Sequence, residues 1–455
     1  MKILVCVKVV KGEINPFDES ALECALQLSD DVTVISMGPE SCGAVLKPLT
    51  RLGVKKVLLI SDKAFAGSDT LATSYILSTA IKKMEYDLIL CGRQSVDGDT
   101  AQVGPMLAEK LDIPVITNAM KIAFDNGIAD VDTRAGKETE KLPLLITVER
   151  GYVLRFPSIF SKEKDIEIID NSALQCDVSK CGIEGSPTKV LEAFENETGR
   201  RKCKFITKDE LFPLIEELMK QHTVVEKSKT DGEKLKSVWA VGNEVLEKAK
   251  EISEEVILVS KDAVEKIVER AIKEQPEVIL WNADLWGRKN APIAAAKLNT
   301  GLCADCTALS VDGENLIMYR PAQAGNITAK IKCITKPQMA TVRTKTESSD
   351  IIVSGGKGVS GCIEKLHELA LKLGAEIGAS RGLVDMNKAP YENQIGLTGK
   401  TVSPKIYVAA GISGAIHHTC ATEGSTTVIA INPDKDARIF EYADYGILMP
   451  FEEII

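Results

Sequence analysis

One passage constrains the fold more than any other: residues 351–373 run from a short apolar stretch through glycines into a helical pattern. Ile351-Ile352-Val353-Ser354 reads as a buried strand, and Gly356-Lys357-Gly358-Val359-Ser360-Gly361 is a G-x-G-x-x-G turn. Ile363, Leu366, Leu369, Ala370 and Leu373 then recur at helical spacing. In this context, backbone N–H groups at a helix start can approach a pyrophosphate. Taken alone, the turn is equally well explained as a tight strand-to-helix connection. Two further crossings accompany it. Gln394-Ile-Gly-Leu-Thr-Gly-Lys400 is a second glycine loop, after a predicted strand that ends at Arg381. Ile406 to His418 repeats strand, glycine turn and helix. Three such crossings within residues 351–432 predict a parallel sheet that holds a large, flat, phosphate-bearing ligand.

The amino-terminal part shows the same alternation. Lys2–Val9, Val32–Met37, Lys55–Ile60 and Leu88–Cys91 are predicted strands, and Phe17–Leu28, Ser68–Met84 and Thr100–Leu111 predicted helices, with Ser68-Asp69 as a cap. The fourth strand runs into Gly92-Arg93-Gln94-Ser95-Val96-Asp97-Gly98-Asp99-Thr100-Ala101-Gln102-Val103-Gly104. Ligands of open parallel sheets sit beyond the carboxyl ends of strands, and this edge carries a cation, carboxylates and a helix start. Taken alone, Asp97 to Thr100 read better as a helix cap. Asn126-Gly127 marks a hairpin within short strands of residues 118–175. Leu211, Ile215, Leu218 and Met219 give one apolar helix face, and a lysine- and glutamate-rich stretch follows. Alternation resumes at Val238. The expected class is α/β: two doubly wound parallel-sheet nucleotide-binding-like domains, 1–222 and 237–346, joined by a charged linker, 223–236, then a Rossmann-like domain, 347–455.

Composition narrows the function. Aromatics are 5% of residues and the net charge is −9, without a basic stripe, which argues against nucleic acid. No apolar run reaches the ~20 residues of a membrane span. The start, Met1-Lys-Ile-Leu-Val-Cys-Val-Lys8, is too short and too strand-like for a signal peptide, so a cytoplasmic location is expected. Twelve scattered cysteines read as reduced, and Cys303-Ala-Asp-Cys306 lacks the second pair or histidines of a metal site. Hydrolase and Walker signatures are absent, so any redox chemistry would belong to a cofactor.

Ser-Gly-Gly-Lys-Gly358, Gly-Ala-Ser-Arg381, Gln394 to Lys400, Gly411-Ile-Ser-Gly-Ala-Ile-His-His418, Ile-Ala-Ile-Asn432 and Ala-Asp444-Tyr-Gly-Ile447 resemble the FAD domain of the electron transfer flavoprotein alpha subunit. Asn15-Pro-Phe-Asp-Glu19 and Gly92 to Pro105 resemble the beta subunit. Gly287-Arg288, Leu298 to Thr307, Arg320-Pro-Ala322 and Lys336 to Arg343 resemble a shortened first domain of the alpha subunit. The resemblance implies a beta–alpha fusion that carries electrons through FAD between a dehydrogenase, acyl-CoA dehydrogenase-like or other, and a redox acceptor such as ferredoxin or flavodoxin. It also implies a hinge near residues 345–350 and a partner-docking loop beyond Glu149 to Pro157, where the wording departs from the family's.

The same resemblance places His418 at the N1/C2 edge of the flavin, Arg381 over the ring, Thr398 at N5 and Gln394 against the ring. Gly356, Lys357, Gly358, Ser380, Gly396, Leu397, Gly411, Ser413, Gly414, Ile416 and His417 would line the flavin and its phosphates; Asn432 and Asp444 would hold the ribose–adenine half. Lys357 stands where the family usually has arginine, and His417 where glutamine is common. In the beta-like half, Cys6, Asn15, Met37, Arg93, Asp97, Asp99, Thr100, Gln102 and Val103 would hold AMP in an ordinary one-flavin shuttle. They would hold a second FAD in the electron-bifurcating branch, fed by NADH. The Asp97 loop and Cys181-Gly-Ile-Glu-Gly-Ser-Pro-Thr188 are closer to the latter. A nucleotide-sensing module without electron transfer is the reading from another class.

Overall fold

The computed structural model describes residues 1–195, 201–221, 234–322, 327–344, 349–396, 399–400, 402–419, 421–422 and 425–455. They form two compact units: Met1–Ala193 with Gly232–Gln323 and Ala329–Arg343, and Phe194–Asp231 with Ala324–Thr328 and Thr344–Ile455.

The first unit is built mainly on two sheets, and it also carries the antiparallel pair Ala308–Asp312 and Asn315–Ala322, which belongs to a separate sheet. In the larger, Lys56–Ile60, Asp31–Met37, Lys2–Cys6, Leu88–Gly92, Leu144–Val148 and Val115–Asp125 lie side by side and parallel. Strand Lys2–Cys6 sits in the middle because both of its faces are apolar: Ile3 and Val5 pack under helix Pro16–Leu28, while Leu4 packs opposite, with helix Thr70–Ile81. Ile128–Thr133 and Gly136–Lys141 extend the sheet antiparallel. Asn126 (φ 49°) and Gly127 (φ 79°) make the turn that leads into them, as expected of Asn-Gly.

The smaller parallel sheet runs Ser253–Val259, Leu235–Val241, Val278–Asn282, Gln338–Val342, Leu302–Cys306. Leu235 and Lys236, read from sequence as linker, therefore open a strand; most of that linker lies outside the described residues. Leu71 and Met106 pack into one core with Trp239, Ile279 and Trp281, and Lys297 pairs with Glu109 at 2.9 Å. The two sheets thus share apolar surface, at about 25 cal/mol per Å2 removed from water.

The second unit has one sheet, parallel throughout: Lys204–Phe205, Tyr445–Ile447, Thr427–Ile431, Ile406–Ala410, Ile351–Gly355, Glu376–Ser380, Gln394–Ile395. From Ile351–Gly355 the chain first builds one side and then, from Ile406, the other. Strand order therefore reverses between Ile351–Gly355 and Ile406–Ala410, which opens a crevice beyond their carboxyl ends. Helix Leu211–Gln221 lays Leu211, Ile215 and Leu218 into this unit's core. The α/β class and the three parallel sheets read from sequence are those observed.

Helix Val103–Leu111 begins three residues later than the predicted Thr100. Asp99 (φ 51°) and Ala101 (φ 54°) have left-handed backbones, which no right-handed helix can contain.

Candidate functional site

The crevice of the second unit is lined by two glycine turns pressed together. Gly356 N–H donates to Ala410 O at 2.8 Å and Gly358 N–H to Gly411 O at 3.1 Å. A Cβ on Gly356 would stand 2.1 Å from Gly411 O, so only glycine lets the turns meet. Gly411 (φ 60°) and Gly414 (φ 85°) need positive φ. Among the described residues, none accepts a hydrogen bond from the N–H of Ile412, Ser413 or Gly414. These donors stand at the switch point, where the fold places a pyrophosphate, so the crevice fits a dinucleotide.

Around it, Lys357 is exposed, with its stem against Gly382. Ser380 caps the helix that Arg381 opens, accepting from Leu383 N–H at 3.4 Å. Arg381 donates through Nε to Asp385 at 3.3 Å. Gln394 is fully buried, and its carbonyl accepts from Lys400 N–H at 2.7 Å. Gly396 (φ 144°) donates to Lys400 O, closing the loop whose Leu397 and Thr398 lie outside the described residues. Asn432 Nδ2 donates to Ile412 O at 3.0 Å and so holds the second turn. Asp444 is ion-paired with Arg201 and accepts from Val428 N–H at 2.8 Å. Ile416, His417 and His418 share the short helix Ile416–Thr419; His417 is exposed and His418 buried. The His418 ring is held at both nitrogens: Tyr407 Oη lies 2.6 Å from Nε2, and Nδ1 lies 3.0 Å from Ile395 O. Burial pushes its pKa down to about 4, so the ring is neutral near pH 7.

A second site lies at the switch point of the larger sheet in the first unit, between Lys2–Cys6 and Leu88–Gly92. Its cavity measures about 850 Å3. Cys6, Asn15, Met37, Arg93, Thr100, Gln102 and Val103 line it. Asp97 and Asp99 do not: Asp97 pairs with Lys8 at 2.7 Å, and Asp99 accepts from Gln94 Nε2 at 2.9 Å. Several lining residues frame the cavity. Asn15 donates to Gln94 O at 2.9 Å and accepts from Val96 N–H at 3.2 Å. Gln102 accepts from Thr70 at 2.7 Å and donates to Leu302 O at 3.1 Å. Arg93 is buried against Glu149, which also holds Arg134.

Sequence reasoning passed over Asp18, Asp62 and Asp69 as site residues, and all three line the cavity. Asp69 had been read as a helix cap, and it is one, accepting from Ala72 N–H at 3.0 Å. Its other oxygen accepts from Thr188 N–H at 3.0 Å, tying the Cys181–Thr188 segment to the cavity wall. The signal for Asp18 was an acidic residue on an otherwise apolar helix face.

Comparison with known proteins identifies the family. The electron transfer flavoprotein domain matches residues 3–174 and 240–349, and the electron transfer flavoprotein FAD-binding domain matches residues 345–423. The electron transfer flavoprotein subunit alpha of Thermoanaerobacterium thermosaccharolyticum is 40% identical over 236 residues, covering 42% of this chain and 72% of that protein. The subunit beta of the same organism is 38% identical over 231 residues, covering 47% and 89%. Protein FixB of Clostridium saccharobutylicum is 37% identical over 242 residues, covering 43% and 72%. The chain therefore belongs to the electron transfer flavoprotein family, with a beta-like and an alpha-like half in one polypeptide and an FAD-binding domain at its carboxyl side.

Proposed function

We propose that the electron transfer for which the family is named runs here through two flavins, one FAD in the crevice of residues 351–455 and a second in the beta-like cavity. Two flavins would let the protein split electron pairs from NADH between a dehydrogenase and a low-potential acceptor such as ferredoxin or flavodoxin. The size of the cavity carries this reading. At about 850 Å3 it stands in the upper part of the range of roughly 300–1,000 Å3 for small-molecule sites, roomier than a mononucleotide needs. AMP in the cavity, with one working flavin, is the competing reading.

FAD supplies one- and two-electron redox chemistry when bound, and the protein sets its position and potential. In the second unit, the N–H groups of Ile412 to Gly414 would receive the pyrophosphate and Arg381 would supply a positive charge beside the ring. Asn432 and Asp444 would hold the ribose–adenine half. In the first unit, Arg93 is the buried cation on the cavity wall, fixed in place by Glu149.

The partner dehydrogenase, we infer, docks on the irregular segment after Glu149. Val153, Phe156, Ile159 and Phe160 are each more than four-fifths exposed there, a cluster that isolated soluble surfaces rarely carry.

Heat release of bound cofactors, with flavin and AMP counted per chain, tests the proposal. Two flavins and no AMP are expected. One flavin with one AMP makes the protein a simple shuttle, and no flavin overturns both readings.

A further inference from the structure

We propose that Cys6 and Cys91 are a disulfide-forming pair on the wall of the first unit's cavity, closed by a hydroperoxide and reopened by a dithiol. The proposal holds whichever nucleotide occupies that cavity.

The sheet sets the pair up. Lys2–Cys6 and Leu88–Gly92 are parallel neighbours, and Cys6 is the register partner of Cys91. Both side chains point to the same face, since Leu4 and Cys6 from one strand and Ile89 and Cys91 from the other share one apolar cluster. Neighbouring strands lie about 4.7–4.9 Å apart, inside the roughly 4.4–6.8 Å between Cα atoms that a disulfide spans. The two thiols are hydrogen-bonded to each other, so closure calls for side-chain rotation rather than strand movement. Just past the cysteines, the Asp18 carboxyl accepts from Lys8 N–H at 2.7 Å and from Gly92 N–H at 3.1 Å. That clamp keeps the strand ends from splaying.

Access separates this pair from the others. Cys176 touches Cys181 and Cys303 touches Cys306, but all four are buried and none lines the cavity. Cys6 and Cys91 both line it, Cys6 half-buried and Cys91 5% exposed. The hydrogen bond to Cys6, burial and the nearby Asp18 carboxyl push the Cys91 thiol well above its usual range, so it keeps its proton and donates it to Cys6.

The order of steps follows. The Cys6 thiolate attacks one peroxide oxygen; the S–O bond forms as the O–O bond breaks, and the departing hydroxide takes up a proton as water. The Cys91 sulfur then attacks the Cys6 sulfur. The S–S bond forms, the S–O bond breaks, and the hydroxide leaves with the Cys91 proton as a second water. Two thiols lose two electrons and one hydroperoxide gains them.

The test treats the purified protein with hydrogen peroxide, quenches with catalase, and alkylates the remaining thiols in denaturant before trypsin and mass mapping. Trypsin places Cys6 in residues 3–8 and Cys91 in residues 84–93, each without another cysteine. Expected are a fall from twelve free thiols to ten, a cross-link between these two peptides, and full return with dithiothreitol. Twelve thiols retained, or a link formed first at Cys176–Cys181 or Cys303–Cys306, overturns the proposal. Cys91→Ser should stop at a Cys6 sulfenic acid that dimedone captures, with at least tenfold less capture at Cys91 in Cys6→Ser. The reverse labelling overturns the assigned order of attack.

Discussion

Asp18 accepts the backbone N–H of Gly92 at 3.1 Å, across the switch point of the larger sheet. Its other oxygen accepts from Lys8 N–H at 2.7 Å, so one carboxyl joins the ends of the two central strands. The fit is close: a Cβ on Gly92 would stand 2.2 Å from Asp18 Oδ1.

This carboxyl makes stability depend on pH. Burial pushes Asp18 up to about 7 from 3.8, against the pull of its two N–H donors. The folded chain thus keeps a proton that the unfolded chain releases near pH 4. Its contribution is fully present below the unfolded value and is lost as pH rises toward 7. At ~1.4 kcal/mol per pH unit the loss is on the order of 4 kcal/mol. Asp18→Asn removes the titration but offers only one acceptor oxygen, leaving an N–H unmet at about 1–3 kcal/mol. Urea unfolding between pH 4.5 and 8 should show the wild type losing stability as pH rises and the variant staying nearly flat. Parallel curves would refute the assignment.

Residues 204–221 belong physically to the carboxyl-terminal unit. Lys204–Phe205 pairs with Tyr445–Ile447, and Leu211 and Ile215 are buried in that unit's core. Leu211→Ala or Ile215→Ala should cost about 2–5 kcal/mol. Limited proteolysis should find the loss in residues 349–455, with fragments of residues 1–193 as resistant as before. Equal loss in both units would contradict the placement.

Much of this was legible in the sequence, for local reasons. Each glycine turn followed a β-branched run and preceded a helical period, and the Leu211, Ile215, Leu218 face stood out by its spacing. Where that face would dock was not legible, because its partners Ile351, Val408 and Ile447 are remote in sequence. The state of His418 was hidden for a related reason. The sheet brings Tyr407 to one nitrogen of its ring and Ile395 O to the other, from positions remote in sequence. Asp97 pairs with Lys8 and Asp99 with Gln94, contacts that the order of residues after the strand does not reveal. The delayed start of helix Val103–Leu111 depends on backbone signs that side-chain pattern does not encode.

The exposed apolar segment separates docking from folding. Phe156 is 95% exposed and Phe160 88%, so replacing both with serine should change stability by no more than about 0.5 kcal/mol each. Flavin content should also hold. If this segment receives the dehydrogenase, kcat/KM for electron exchange should fall at least tenfold, mainly through KM for the partner protein. Unimpaired exchange would move the docking surface elsewhere.

Gly414 allows the FAD crevice and the proposed second site to be tested one at a time. Its φ is 85°, and a Cβ there would stand 2.1 Å from Ile439 N and 2.5 Å from Arg438 C. Both obstacles are backbone, and Ile439 N–H is already bound to Ser413 O at 3.2 Å, so neither can yield without opening the turn that faces the crevice. Gly414→Ala should therefore release the FAD of the second unit, while the cavity between Lys2–Cys6 and Leu88–Gly92 keeps its own ligand. If that ligand is FAD, flavin per chain falls from two to one and the protein stays yellow. If it is AMP, the protein turns colourless and AMP remains at one per chain. Full flavin retention in the variant would show that the Gly411–Gly414 turn does not hold the cofactor.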